Sequence, residues 1–165
     1  MAETLQRRRW LAGGLGLMLG PILAWPPAPL AQAAERDAPL PPARDLQAEA
    51  RAAARSGFPL VLMFSRQDCP YCTRVRRDHL APLNRIPRFR EVLVRQIDLD
   101  KDTPLLDFQG RPSTHAAFAA RERIRFVPVV GFYGPDGRQV SDAIVGARLP
   151  DFYQSYLEAA LLQGR

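Results

Sequence analysis

The chain has 165 residues, enough for one compact domain and a short attached segment. Hydrophobic residues make up 47% of it and charged residues 24%, so a buried core can form and an intrinsically disordered chain is excluded. The net charge is +6, but the basic residues are not interleaved with aromatic ones as on nucleic-acid-binding surfaces, so nucleic acid is not an expected partner.

Residues 1–33 have the pattern of an export signal. Three arginines, Arg7 to Arg9, precede an apolar stretch from Trp10 to Ala24 that contains several glycines and Pro21. This stretch is shorter than the roughly 20 apolar residues of a membrane-spanning helix. Ala31-Gln32-Ala33 offers a small-x-small cleavage site, so we predict cleavage after Ala33 and a periplasmic protein. The arginines resemble a twin-arginine export signal, and an uncleaved membrane anchor is the alternative.

The mature chain is predicted to consist of a proline-rich tether, residues 34–43, and one domain, residues 44–165. Apolar spacing and breaker residues predict four helices and four strands in this domain. The helices are expected at about 44–56, 70–83, 113–121 and from 151 onward, and the strands at 59–65, 91–99, 127–133 and 138–145.

Three details of this domain are specific enough to test. Ser113 is the expected N-cap of the third helix, and residues 100–112 are expected to form an irregular surface excursion. The last helix is expected to pack through one face made of Phe152, Tyr156, Leu157 and Ala160. The order of elements predicts an α/β fold with a central mixed sheet flanked by helices on both faces.

The only two cysteines lie in Cys69-Pro70-Tyr71-Cys72, directly after a buried strand and at the start of a helix. Free N–H groups and partial positive charge at a helix N-terminus stabilise a thiolate on Cys69, and nearby arginines such as Arg66 and Arg74 are expected to lower its pKa further. Cys72 lies one turn deeper in the helix. It is therefore expected to resolve a mixed disulfide that Cys69 begins.

Two other interpretations of the cysteine pair remain. A zinc site needs further ligands from His79, His115 or acidic residues, and His79 lies two turns along the same helix, which is a poor geometry for a shared metal. A purely structural disulfide would close a very short loop and stabilise little. We expect no metal and no cofactor besides the redox-active disulfide.

Val127-Pro128 stands at the start of the third predicted strand. A proline cannot donate to a sheet ladder, so this position favours a cis-proline loop in front of the strand. Such a loop would turn the Val127 backbone toward an extended substrate beside Cys69. The alternative is an ordinary trans proline at the start of a strand.

These segments together resemble the thioredoxin superfamily. The resemblance covers about residues 44–162 and rests on the apolar run from Leu60 to Ser65, on Cys69-Pro70-Tyr71-Cys72, on Val127-Pro128 and on the hairpin Gly134–Gly137. It implies a thioredoxin-like fold in which Cys69 attacks, Cys72 resolves and Pro128 orders the substrate. Within the superfamily the chain looks closest to exported thioredoxin-like proteins of the SoxW type, because Asp107-Phe108-Gln109-Gly110 is similar to a segment of that group.

The sequence departs from the family pattern at the proton relay. Thioredoxins bury an aspartate six positions before the first cysteine, where this chain has Met63. Asp68, His79 or water would then have to accept the proton of Cys72.

The function expected from these features is periplasmic thiol–disulfide exchange with a disulfide-containing protein or small thiol, with a reductase favoured over an oxidase. A membrane electron donor is the expected redox partner, and a monomer the expected state. The alternatives are a non-catalytic thioredoxin-fold binding module or chaperone, and a metallochaperone. A disulfide isomerase is less favoured because the tether is too short to be a dimerisation domain.

Overall fold

A computed structural model describes residues 39–147 and 150–165. The predicted signal peptide and the first part of the predicted tether lie outside the described residues. Within the described part of the chain, no helix is both long enough and apolar enough to cross a membrane.

The described residues form a four-stranded mixed sheet, a two-stranded sheet and four α-helices. The strands are β1 (Leu60–Ser65), β2 (Val94–Asp98), β3 (Pro104–Leu106), β4 (Pro112–Thr114), β5 (Val129–Tyr133) and β6 (Gln139–Val145). The helices are α1 (Leu46–Arg55), α2 (Pro70–Val75, continued by a π-helical turn Arg76–Leu80), α3 (His115–Arg121) and α4 (Pro150–Gln163). Short 3₁₀ turns at Leu83–Arg85 and Pro87–Phe89 connect α2 to β2.

The main sheet has the strand order β2-β1-β5-β6, with β1 parallel to β2 and antiparallel to β5. All six residues of β1 are buried, because helices cover both faces of the sheet. On one face of the sheet Val61 and Met63 pack against α2 and α4. On the other face Leu62 and Phe64 pack against α1 and α3. The predicted α/β fold with helices on both faces is confirmed.

Part of the predicted tether lies along the edge of this sheet. The amide of Gln96 in β2 donates to the carbonyl of Pro41, and the amide of Ala43 donates to the carbonyl of Gln96, both over 2.9 Å. Ala43 and Leu40 are buried. Packing against the sheet therefore begins before residue 44.

Three local predictions were wrong. The excursion 100–112 contains β3, which pairs with β4 to form the small sheet. The N-cap of α3 is Thr114 and not Ser113, because β4 runs through Thr114 and the helix begins at His115; the Thr114 hydroxyl accepts from the amide of Ala117. In α4, Phe152 and Tyr156 are exposed, and the buried face instead contains Tyr153 and Leu161 beside Leu157 and Ala160.

Candidate functional site

Cys69 and Cys72 are joined by a disulfide at the carboxyl end of β1, with their Cα atoms 5.2 Å apart. Cys69 is the N-cap of α2, and Pro70 occupies the first turn, where its missing N–H leaves no helical bond unmade. The backbone amide of Cys72 donates to the sulfur of Cys69 over 3.1 Å. The strand–CxxC–helix arrangement predicted from the sequence is therefore present.

The two cysteines differ in accessibility. Cys72 is fully buried and belongs to the core cluster beneath α2, whereas Cys69 is only partly buried and packs at the edge of that cluster. An incoming thiol or disulfide can therefore reach the Cys69 sulfur more easily than the Cys72 sulfur. This asymmetry suits a pair in which one sulfur begins an exchange and the other completes it.

The segment before β5 lies beside the cysteine loop. The Val127–Pro128 peptide bond is cis, Pro128 is buried and Val127 is half-buried. Tyr71, Val127 and Pro128 line one cavity of about 280 Å³ together with Gly146 and Ala147. The structure therefore brings together Tyr71 of the cysteine motif and the two residues predicted to contact substrate.

A second cavity extends this surface and was not predicted from the sequence. Its volume is about 440 Å³, and it is lined by Phe126, Val127, Val145 and Gly146. The side chains of Tyr71, Phe126 and Val145 are 60%, 76% and 61% exposed, which makes this side of the cysteine motif apolar. We call these two cavities, with the residues that line them, the apolar groove. Exposed apolar residues grouped in this way indicate a contact surface.

The candidate proton acceptors are placed differently. Met63 is fully buried in the core cluster that contains Cys72, so no carboxylate occupies the position where thioredoxins bury one. Asp68 is exposed in the loop before Cys69. His79 is half-buried in the π-helical turn and stacks on Tyr153 with ring centroids 4.5 Å apart. The structure therefore does not supply a buried acid at the expected position.

Two titratable groups with shifted pKa values lie at or near the π-helical turn that continues α2. The guanidinium of Arg77 hydrogen-bonds the carboxylate of Asp78 and holds the pKa of that carboxyl below its usual value. Burial raises the pKa of the Tyr153 phenol, whose hydroxyl has no hydrogen-bond partner among the described residues. Both groups lie beyond the cysteine motif, and neither forms a hydrogen bond with the disulfide in the part of the chain that the structure describes.

The residues considered for zinc are engaged elsewhere. The ring of His115 is fully buried, and its Nδ1 accepts from the amide of Asp98 while Nε2 lies 2.8 Å from the carbonyl of Ala43. These two contacts fix the ring between β2 and the N-terminal segment. In the described ranges, no group of three or more His, Cys, Asp or Glu side chains is placed to hold a metal ion.

A comparison with known families adds to this geometry. The sequence model of the family described as "Thioredoxin-like domain" matches residues 46–161, which include both cysteines and Pro128. The chain belongs to this thioredoxin-like family. No curated protein matches the chain.

Several solved structures of thioredoxin-like proteins are similar to it. The periplasmic thioredoxin SoxS of Paracoccus pantotrophus is 21% identical, with 64% of this chain and 98% of that chain covered and a TM-score of 0.45. A thioredoxin h of poplar is 21% identical, with 71% and 95% covered and a TM-score of 0.46. The C-terminal domain of DsbD from Neisseria meningitidis is 16% identical, with 68% and 90% covered and a TM-score of 0.47.

Proposed function

We propose that this thioredoxin-like protein is a thiol–disulfide oxidoreductase in which Cys69 is the nucleophile and Cys72 the resolving thiol. The observation that carries the proposal is the difference in exposure between the two disulfide-bonded cysteines, partly accessible for Cys69 and fully buried for Cys72. A structural crosslink needs no such difference. An exchange reaction does, because only one sulfur is required to meet the substrate.

In the reductive direction, the Cys69 thiolate attacks one sulfur of a substrate disulfide. The substrate S–S bond breaks, one substrate thiolate leaves, and a mixed disulfide with Cys69 forms. The Cys72 thiolate then attacks the Cys69 sulfur, which releases the second substrate thiolate and leaves the protein disulfide. The substrate gains two electrons, the protein loses two, and the released thiolates take up protons.

The hydrogen bond from the Cys72 amide to the Cys69 sulfur supports this division of roles. An N–H donor aimed at a sulfur favours its anionic form, and so does the partial positive charge at the start of α2. Among the described residues none donates a comparable hydrogen bond to the Cys72 sulfur, which lies in apolar surroundings where a charged thiolate costs more. Its proton then goes to water, Asp68 or His79.

We further propose that Val127 and Pro128 order the substrate and that the apolar groove contacts it. Val127 lines both cavities of the groove, and Tyr71 of the cysteine motif lies at one end. An extended polypeptide whose cysteine meets Cys69 would lay its neighbouring apolar side chains along this surface. A disulfide-containing protein is thus one suitable substrate, and a small thiol compound is another.

The cellular setting is inferred from the sequence. The pattern of residues 1–33 supports export to the periplasm, where a reductase of the SoxW type would draw electrons from a membrane donor. A redox-active disulfide needs no further cofactor. We propose a monomer that acts on protein or small thiol substrates and binds no nucleic acid.

The reduction potential of the protein, equilibrated in thiol–disulfide buffers, tests this proposal. A value near −270 mV would identify an electron donor and thus a reductase, whereas about −120 mV would identify an oxidant of other proteins. A pair that does not cycle between the two states would overturn the oxidoreductase proposal. It would favour a binding module or chaperone instead, and stoichiometric copper or zinc in the reduced protein would favour a metallochaperone.

A further inference from the structure

A third cavity, with charged residues in its lining, lies on the opposite side of β1 from the apolar groove. Its volume is about 490 Å³, and its charged lining consists of three cations, Arg66, Arg76 and Lys101, and one acid, Asp98. Gln96 also lines it, and Pro39–Pro42 form one wall. We call this cavity the cationic pocket. Its volume falls in the range of small-molecule sites, roughly 300–1,000 Å³.

The sheet topology places the cationic pocket on the β2 side of the cysteine motif. Arg66 lies in the loop that joins β1 to Cys69, and Arg76 follows Cys72 by four residues on the same helix. Gln96 and Asp98 are in β2, on the opposite side of β1 from β5. The cationic pocket therefore lies on the β2 side of β1 and the apolar groove on the β5 side, and the cysteine motif directly follows β1.

The floor of the cationic pocket is held by a chain of polar contacts. A guanidinium nitrogen of Arg76 donates to Gln96 Oε1 over 3.3 Å, and Gln96 Nε2 donates to Asp98 Oδ1 over 2.6 Å. Asp98 Oδ2 pairs with Lys101 Nζ at 3.3 Å. Gln96 and Asp98 are 7% and 8% exposed, so these contacts hold Arg76 and Lys101 at the pocket.

The positive charge of the cationic pocket is only partly neutralised. Asp98 offsets one of the three cations, and Arg66 forms no ion pair with any residue in the described ranges. Asp100 is nearby and accepts from the amide of Gln67, but it does not line the pocket. Two positive charges within a concave site attract and hold an anionic group more strongly than a flat surface does.

We propose that the cationic pocket binds a carboxylate group of a small disulfide substrate while the sulfur of that substrate reacts with Cys69. This inference rests on the proposed oxidoreductase function and names its substrate class. The reaction is the two-step exchange described above, with the reduced protein as electron donor. Arg66 is the main contact, because it forms no ion pair with any described residue and, of the three cations, is closest in sequence to Cys69.

Three disulfides of similar length but different charge test the proposal: 3,3′-dithiodipropionate (a dianion), bis(2-hydroxyethyl) disulfide (neutral) and cystamine (a dication). The pre-reduced protein is mixed with each, quenched with acid, and its remaining thiols are counted by alkylation and mass spectrometry. Each rate is divided by the rate at which dithiothreitol reduces the same disulfide under the same conditions. This corrects for the different leaving-group thiols.

We expect the normalised rate to be about tenfold higher for the dianion than for the neutral disulfide at low salt, and lowest for the dication. The preference should shrink at high salt. Arg66→Gln should remove most of this preference. Any effect of the lost charge on the Cys69 thiolate changes the rates for all three disulfides by the same factor and leaves their ratios unchanged. Arg138→Gln is the matched control, because Arg138 is 87% exposed in the β5–β6 hairpin and should leave the preference intact.

A footprinting experiment tests the cationic pocket without any redox reaction. Lys101 is the only lysine in the chain, so an amine-reactive label at an internal position reports on it alone. Adipate, a dicarboxylate with no sulfur, should slow labelling of Lys101 several-fold in the unmodified protein but not in Arg66→Gln.

Equal normalised rates for the three disulfides, or labelling that adipate does not change, would overturn the pocket proposal and leave the oxidoreductase proposal standing. If no disulfide reacts, the oxidoreductase proposal fails, and the footprint alone decides whether the pocket binds carboxylates.

Discussion

The amide of Cys72 donates a hydrogen bond to the sulfur of Cys69, the residue with which it shares a disulfide. The bond exists because Cys69 is the N-cap of α2, where a side chain accepts from the first free N–H groups of the helix. The same turn of helix that makes the donor available also buries the Cys72 sulfur. One local feature thus distinguishes the environments of the two cysteines.

We expect the two thiols of the reduced protein to react at different rates. Iodoacetamide at neutral pH should modify Cys69 at least about tenfold faster than Cys72, because Cys69 is more accessible and its thiolate is better stabilised. Peptide mass spectrometry after short labelling times measures both rates. Cys72→Ser should also accumulate a mixed disulfide with a substrate through Cys69, whereas Cys69→Ser should accumulate none. Equal labelling of the two cysteines would contradict these roles.

The arrangement around the disulfide could be predicted from the sequence because it is local. A buried strand, a CxxC pair and a helix start follow one another within a dozen residues, and each is set by neighbouring side chains. The apolar groove and the cationic pocket could not be predicted in this way. Phe126 and Val145 meet through the register of the β5–β6 hairpin, and this hairpin reaches Tyr71 only through the pairing of β5 with β1. Arg66 and Lys101 meet only after β1 and β2 have paired.

The wrong predictions for the face of α4 and for the β3–β4 pair also have physical causes. In α4 the apolar residues come in adjacent pairs, Phe152-Tyr153 and Tyr156-Leu157, so periodicity alone allows two faces about 100° apart. The position of α4 against the sheet selects the face with Tyr153. The β3–β4 pair could not be predicted because each strand has only three residues, too few to show an alternation of apolar and polar side chains.

Phe126→Ala should weaken exchange with protein substrates specifically. The ring is 76% exposed and lines the apolar groove, so a bound polypeptide can cover it. We expect kcat/KM for an unfolded protein with one disulfide to fall about five- to tenfold, with little change for bis(2-hydroxyethyl) disulfide. Phe152→Ala is the matched control, since Phe152 is 59% exposed on α4 and lines neither cavity of the groove. An equal loss in both variants would indicate that the groove is not the contact surface.

Asp107 should make stability depend on pH. Burial alone raises the pKa of this carboxyl, but the amides of Arg111 and Gln109 and the guanidinium of Arg111 outweigh it, so the net shift is downward. Arg121 adds a further hydrogen bond. A lowered pKa in the folded state means that the carboxylate stabilises the fold fully above the unfolded-state pKa of about 4. This contribution is lost as the pH falls through the folded-state pKa.

Urea unfolding of Asp107→Asn tests this dependence. Asparagine keeps one acceptor oxygen but loses the charge, so we expect a loss of about 2–3 kcal/mol in the free energy of unfolding at pH 7. The difference from the unmodified protein should shrink as the pH falls below about 4, because the native aspartate is then protonated as well. Asp136→Asn in the hairpin is the control. Its ion pair with Arg138 is exposed, so we expect a loss under about 0.5 kcal/mol. A difference that stays constant with pH would contradict the assignment to charge.

Gly137 and Gly110 form a matched pair for separating backbone strain from steric contact. Both have positive φ, +78° and +73°, which side chains other than glycine rarely adopt. A Cβ at Gly137 would lie 2.6 Å from the ring of Phe108, whereas a Cβ at Gly110 would come no closer than 3.7 Å to any atom, the nearest being Gln47 Oε1. Phe108 packs against Phe118 and Tyr133, so its ring cannot move aside freely.

We therefore expect Gly110→Ala to lower the free energy of unfolding by about 1 kcal/mol, the cost of strained backbone alone. Gly137→Ala should lower it by about 2–4 kcal/mol, because overpacking against Phe108 adds to the same strain. Urea denaturation at fixed redox state measures both. The double variant Gly137→Ala, Phe108→Leu should be less destabilised than the two single losses added together, since the smaller side chain relieves the contact. Simple additivity would show that Phe108 is not the obstacle, and that backbone strain at the hairpin accounts for the whole effect.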